Sequence, residues 1–267
     1  MTTLAEAFAR AKADDRAALI GYLPAGFPTI PDSVRLMRAM VEEGVDIVEV
    51  GLPYSDPLMD GPVIQAAAAQ ALRAGTTPRD VIGAAGEVAQ SGAAAVVMSY
   101  WNPIERYGVV AFASELAAAG GSGVITPDLT PEESRAWSEA TTEHDIDRIF
   151  LVAPSSTDER IARVAAECSG FVYAASTMGV TGARASVSGA ASTLVSRVRA
   201  ATDLPVAVGL GVSTGDQAAQ IAEYADGVIV GSAFIRLILE AGSVDEAEGQ
   251  VRSLARELSD GVQRRSR

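Results

Sequence analysis

Short runs of β-branched and other apolar residues alternate along the chain with longer stretches rich in Ala, Leu, Glu and Arg, whose apolar positions recur at helical spacing. After a helix near Thr3 to Ala13, eight such runs follow: Ala18–Leu23, Ile47–Leu52, Ala95–Tyr100, Val124–Asp128, Arg148–Ala153, Phe171–Ala175, Val206–Leu210 and Gly227–Val230. Each is succeeded by a helical stretch. Continuous apolar runs mark strands buried on both faces, as in a parallel sheet covered by helices. Right-handed βα crossovers repeated eight times can close into a barrel, whereas an open, doubly wound sheet would show the same alternation. Eight units fill the chain without a linker or a second domain. The pattern therefore predicts a single α/β domain over residues 1–267, a (β/α)8 TIM barrel with an extra N-terminal helix.

A barrel places its catalytic groups at the C-terminal strand ends and on the loops that follow. Two of those loops, Gly51–Pro62 and Ser176–Gly189, are long for βα connections and rich in Gly, Pro, Ser and Thr, so both are expected to act as lids.

Composition narrows the partners. A formal charge of −13 opposes a polyanionic ligand, and the one basic cluster, Arg264 to Arg267, reads as a solvated tail, so nucleic acid is not expected. Cys168 is the only cysteine, and the residues before Asp14 mix Glu6, Arg10 and Lys12 with Ala rather than forming an apolar signal core. Apolar runs such as Ala93–Met98 fall far short of the ~20 residues a membrane helix needs. A cytoplasmic enzyme with no membrane contact is expected.

Several chemistries drop out by position. His144, the only histidine, precedes the fifth strand, at the end of the barrel opposite the active-site loops, and reads as a solvent-exposed loop residue. The only lysine, Lys12, lies in the N-terminal helix, which leaves no amine at the mouth for an imine. Cys168 precedes the sixth strand at the same wrong end and reads as a small buried apolar group. With no His, Cys or Lys at the mouth, no metal site is expected. Carboxylates, hydroxyls and backbone amides remain.

Glu49 is the first of these. Strand alternation puts Ile47, Glu49 and Gly51 on one face and Val48, Val50 and Leu52 on the other, so Glu49 points into the barrel if the apolar set faces the helices. Desolvation there would raise its pKa toward a range useful for proton transfer. The alternative is a structural carboxylate that receives hydrogen bonds from neighbouring strands. Asp56 and Asp60 follow on a loop restricted by two prolines and a glycine, where each is equally readable as a turn-capping residue. For an anion, Gly209-Leu-Gly211 ends the seventh strand, and Gly231 and Ser232 end the eighth and open a helix. Gly182, in the long loop after the sixth strand, is placed to close over the top. Close packing is the competing explanation for these glycines. The spacing from Gly209 to Gly215 rejects a dinucleotide fingerprint.

The stretch from Glu49 to Gln65, EVGLPYSDPLMDGPVIQ, resembles the signature of the tryptophan synthase α subunit family. Gly21 to Pro28, Tyr100-Trp-Asn-Pro103, Pro127-Asp128, Gly179-Val-Thr-Gly182, Gly209-Leu-Gly211 and Gly231-Ser232 agree in order and spacing, so the similarity spans nearly the whole chain. The resemblance implies a lyase that splits indole-3-glycerol phosphate into indole and glyceraldehyde 3-phosphate in tryptophan biosynthesis. It implies no cofactor on this chain, pyridoxal phosphate being expected only on a β subunit partner in an αββα heterotetramer. By the same resemblance Glu49 protonates the indole ring carbon and takes the proton of the side-chain hydroxyl, and Asp60 stabilises positive charge at the ring nitrogen. Tyr173 matches an active-site tyrosine. Tyr22, Met98, Ile125, Leu151, Leu210 and Ile229 fall where the family lines an apolar indole pocket, though all six are equally readable as core. Gly182, Gly211, Gly231 and Ser232 match phosphate-binding positions, Thr181 matches the threonine on the closing loop, and Asp56 and Asn102 match the partner-facing surface. Thr177 departs from a common arginine, and Met59 from a commonly smaller residue. Two other readings stay open: a non-catalytic subunit that only activates a β chain, and a stand-alone lyase that releases indole. Retention of both Glu49 and Asp60 argues against the first.

Overall fold

The computed structural model describes residues 1–175 and 184–264. Its strands are β1 (Ala18–Pro24), β2 (Ile47–Gly51), β3 (Ala94–Met98), β4 (Gly123–Ile125), β5 (Asp147–Ile149), β6 (Leu151–Val152), β7 (Val172–Ala175), β8 (Val206–Gly209) and β9 (Gly227–Val230). All pair in parallel, in the order β5-β4-β3-β2-β1-β9-β8-β7-β6. The two ends of that order, β5 and β6, are separated in the chain by Phe150 alone. They are halves of one strand, so the sheet closes on itself and is the expected eight-stranded α/β barrel with its fifth strand interrupted.

The seam has a local cause. Phe150 offers its carbonyl to the Tyr173 N–H at 3.1 Å, but its own N–H is directed to Cys168 Sγ at 3.4 Å rather than to a strand. Inward and outward positions still alternate across the break, with Ile149 and Leu151 packing inside the barrel and Phe150 and Val152 outside it.

The same alternation sorts the whole sheet. Ile20, Ile47, Val96, Ile125, Ile149, Ala207 and Ile229 form an inner core, while Leu19, Val48, Val50, Val97, Val124, Val206, Val208 and Val228 pack between sheet and helices. The N-terminal helix α1 (Leu4–Ala13) starts from a Thr3 capping box with Glu6. Its buried stripe of Leu4, Ala7, Phe8 and Ala11 joins the inner core, and Phe8 lies 5.6 Å from Phe171 between ring centroids. The helix stoppers the end of the barrel opposite the strand C-termini.

Two expectations change. His144 is not a solvent-exposed loop residue: it ends helix α7 (Arg135–Glu143), half-buried, with a buried Nε2 that has no hydrogen-bond partner among the described residues. Arg264 is not part of a solvated tail but donates to Asp216 at 2.8 Å, which fastens the end of helix α12 (Val244–Gln263) to helix α10 (Gly215–Ala222). Residues 265–267 lie outside the described residues, as do Ser176, Thr177, Gly179, Thr181 and Gly182 of the long loop. Cys168 is buried as expected, and burial pushes its thiol up to about 12. No helix among the described residues is long and apolar enough to cross a membrane.

Candidate active site

β2 carries Glu49 on its inward face, one residue short of Val50 and two short of the strand's C-terminal Gly51. The side chain is 2% exposed, and among the described residues its Oε1 has no hydrogen-bond partner. Burial alone pushes the carboxyl up to about 8. A carboxyl in that state carries its proton at neutral pH and can give it up and take it back, as acid–base chemistry requires.

Two tyrosine rings occupy the mouth beside it. Tyr22 stands across from Glu49 in the β1–β2 register, and Tyr173 across from Ala207 in the β7–β8 register. A Cβ at Gly51 would stand 2.5 Å from the Tyr22 hydroxyl oxygen, and one at Gly209 would stand 2.5 Å from that of Tyr173. The glycines that end β2 and β8 are thus the space into which these rings fit. Burial first, and then the Asp60 and Glu49 carboxylates, hold both phenols well above their ordinary range, so both keep their protons and are available as hydrogen-bond donors.

Asp60 lies between β2 and helix α3 (Pro62–Arg73), half-buried. Its carboxyl is raised by burial, and a hydrogen bond from the Tyr100 hydroxyl opposes that rise. The same Tyr100 oxygen accepts the Met59 N–H at 3.0 Å, and its ring packs on Tyr54 with centroids 5.3 Å apart. Tyr100 is the functional residue that sequence reasoning missed. It belonged to a recognised motif, Tyr100 to Pro103, but its contact with Asp60 crosses 40 residues and leaves no periodic trace.

The other expected residues divide. Ile125 and Ile229 are buried in the inner core, with Met98, Leu151 and Tyr173 half-buried against it on the mouth side. Tyr22 packs with the outer cluster, as does Leu210, which continues the outward set of Val206 and Val208. Gly211, in the left-handed region at φ 67°, follows β8, and Gly231 after the neighbouring β9 is the N-cap of helix α11 (Ser232–Glu240), which has no side-chain cap on its first turn. Free first-turn amides beside two glycines suit an anion. Asp56 is exposed and accepts from Ser55 Oγ at 2.6 Å, and Asn102 donates to the Tyr54 hydroxyl at 3.1 Å. Thr181 and Gly182 fall outside the described residues. Among those described, no three His, Cys, Asp or Glu side chains are grouped to hold a metal.

The mouth thus holds a protonatable carboxyl and a second acid above an apolar floor, with the uncapped first turn of α11 following β9. The family model for the tryptophan synthase alpha chain matches residues 8–263. The tryptophan synthase alpha chain of Thermobifida fusca is 60% identical, with all of both chains covered, and that of Acidothermus cellulolyticus is 58% identical over 99% of this chain and 98% of the other. Among solved structures, ligand-free tryptophan synthase from M. tuberculosis aligns with a TM-score of 0.90 at 53% identity, over 98% of this chain and all of that one. The tryptophan synthase subunit alpha of Legionella pneumophila aligns at 0.89 and 32% identity, over 98% of each chain. With both the mouth geometry and near-complete relatives in agreement, the chain belongs to the tryptophan synthase alpha chain family.

Proposed function

We propose that Glu49 is the proton carrier and Asp60 the charge stabiliser of the reaction that this family performs. The chain is a lyase of tryptophan biosynthesis, cleaving indole-3-glycerol phosphate to indole and glyceraldehyde 3-phosphate. Glu49, held as the acid at neutral pH, delivers its proton to the ring carbon that bears the side chain. The ring becomes cationic, and Asp60, as carboxylate, stabilises the charge at the ring nitrogen. The Glu49 carboxylate then accepts the proton of the adjacent side-chain hydroxyl. The carbon–carbon bond breaks, its electron pair returns to the ring, and the hydroxyl carbon leaves as an aldehyde. Glu49 ends protonated, ready for the next turn.

The remaining residues serve binding. Ile125, Ile229, Met98, Leu151, Tyr22 and Tyr173 enclose the indole, with Leu210 behind them. Gly211, Gly231 and Ser232 hold the phosphate at the α11 N-terminus, joined by Gly182, and Thr181 closes toward Asp60. Asp56 and Asn102 face a β subunit in an αββα heterotetramer, Asp56 from a loop whose Leu58 and Met59 are 81% and 54% exposed and Asn102 from the helical stretch after Tyr100. Pyridoxal phosphate belongs to that partner and this chain uses no cofactor. The absence of any membrane-length helix among the described residues and the redox-neutral lone Cys168 support a cytoplasmic setting.

The observation that carries the reading is the buried Glu49 carboxyl at the mouth, whose Oε1 has no hydrogen-bond partner among the described residues. Indole formation is to be measured for the chain with its β subunit and for Glu49→Gln in the same assembly. Loss of cleavage with retained substrate affinity is expected. Near-normal turnover in the variant would overturn the assignment.

A further inference from the structure

We infer that Asp128 is a positioning residue for the cleavage: by capping the first turn of helix α5 (Trp101–Tyr107) it fixes Tyr100, and through Tyr100 it fixes Asp60. The inference rests on the role proposed above for Asp60.

Helix α5 has no cap of its own. Its N-cap residue is Tyr100, whose side chain makes no capping hydrogen bond. The exposed first amide of the helix, Trp101 N–H, instead donates to Asp128 Oδ1 at 2.8 Å, across 27 residues. A short helix without a partner for its first amides frays from that end. Fraying at Trp101 would release the residue immediately before it.

Both ends of this link are tied to the barrel. Tyr100 follows Ser99, whose N–H donates to the Ile125 carbonyl at 3.0 Å at the end of β4. Asp128 lies two residues after Thr126, beyond Pro127, and the Thr126 N–H donates to the Ile149 carbonyl at 3.2 Å in the next strand. The Asp128 carboxylate therefore stands on the sheet and reaches sideways to the helix. Tyr100, 2% exposed and packed on Tyr54, delivers that position to the catalytic loop, because its hydroxyl receives Met59 N–H at 3.0 Å and donates to the Asp60 carboxylate. Asp128 itself is solvent-exposed, so its truncation opens no cavity and its main consequence falls on the helix end.

The test uses the full chain with its β subunit, in three variants: Asp128→Ala, Asp128→Asn and Tyr100→Phe, together with the Asp128→Ala/Tyr100→Phe double variant. Asp128→Ala is expected to lower kcat about three- to tenfold with less than about a twofold change in KM, the worth of one lost cap. Asp128→Asn, whose Oδ1 can still accept the Trp101 N–H, should stay within about twofold of the parent. In the Tyr100→Phe background, Asp128→Ala should add less than about twofold, because the two residues act along one path. The acid limb of the pH profile should move upward in Asp128→Ala and in Tyr100→Phe, since the Tyr100 hydrogen bond is what opposes the burial of Asp60. An unchanged kcat in Asp128→Ala overturns the inference, as does the same loss in the Tyr100→Phe background or a failure of Asn to rescue. Activity retained in both Glu49→Gln and Asp60→Asn would instead sink the reading of the site on which it rests.

Discussion

The two ends of the barrel treat their carboxylates in opposite ways. At the N-terminal end, Asp46 receives Arg16 through Nη1 at 2.6 Å and Nη2 at 2.8 Å and also accepts the Leu19 N–H at 2.9 Å. Asp226 repeats the device, taking Arg199 at 2.9 Å and the Val206 N–H at 3.0 Å. Each acid thereby neutralises a guanidinium and fixes the opening amides of a strand. Asp147 lies between the extremes: burial raises it, and the Ser169 hydroxyl and Arg148 oppose that rise. At the mouth, no cation answers either acid among the described residues. Glu49 has an orphaned oxygen and Asp60 a single phenol. A buried carboxyl without a partner costs stability, and neutralises itself by raising its pKa. The acids below hold the barrel together, and the acids above are kept at its expense for chemistry.

The largest expected effect separates the two ends by function. Glu49→Gln should lower kcat by about 10²- to 10⁴-fold, the usual range for a positioned acid–base group, with the circular dichroism of the fold unchanged. Asp46→Ala should leave turnover per folded molecule within about twofold, because nothing it touches faces the mouth. A comparable loss of turnover in both variants would erase the distinction.

Next in size is stability, where the ranking reverses. Asp46→Ala leaves Arg16, whose side chain is 13% exposed, with only Asp14 at 3.4 Å and the Ala17 carbonyl at 3.3 Å, and removes the acceptor of a strand amide. A loss of about 2–4 kcal/mol is expected in denaturant unfolding, below the full figure for a buried pair since Arg16 keeps some solvent. A loss under ~0.5 kcal/mol would mean that the pair only decorates the barrel end.

The pH dependence of Glu49 sharpens the contrast. Its folded pKa, about 8, lies above the ordinary 4.5, so between those values the folded chain binds more protons than the unfolded one. Stability from this group is therefore lost as pH rises from about 4.5 to about 8. Glu49→Gln removes that dependence. The variant should gain on the parent across this window, reaching about 1–3 kcal/mol by its upper end, less than full linkage because a buried amide also lacks partners. A constant difference between pH 5 and 8 would show that Glu49 does not titrate there.

Much of this contrast was legible in the chain. The inward face of β2 followed from the two-residue period of Ile47, Glu49 and Gly51, and the empty C-terminal mouth from the placement of His144, Lys12 and Cys168. Pairings that join distant segments were not legible. Neither Arg16 with Asp46 nor Arg264 with Asp216 has a sequence period, and the Asp128 cap on Trp101 depends on how β3 and β4 end side by side. The side of the sheet on which Leu210 packs was not legible for a related reason: its spacing fits either face, and it continues the outward set of Val206 and Val208. The break at Phe150 was hidden because both halves of the strand keep the apolar alternation that an unbroken strand would show.

That break supplies the smallest effect and a control between the two ends. Phe150 sits where the barrel closes, and its N–H has a thiol as acceptor instead of a strand carbonyl. Sulfur accepts weakly, so the bond itself contributes little, but Cys168→Ala would leave the amide buried with no acceptor at all. A loss of about 1 kcal/mol is expected, together with faster hydrogen exchange at Phe150 than at Val152, its neighbour in β6. Cys168→Ser keeps an acceptor at the site and should retain the exchange protection. Because Leu151, next to the seam, pairs with Tyr173 of β7 and both face the mouth, turnover reports whether the seam matters to chemistry. Unchanged kcat in Cys168→Ala would confine function to the strand ends, and a loss parallel to that of Glu49→Gln would extend the working end of the barrel down to its seam.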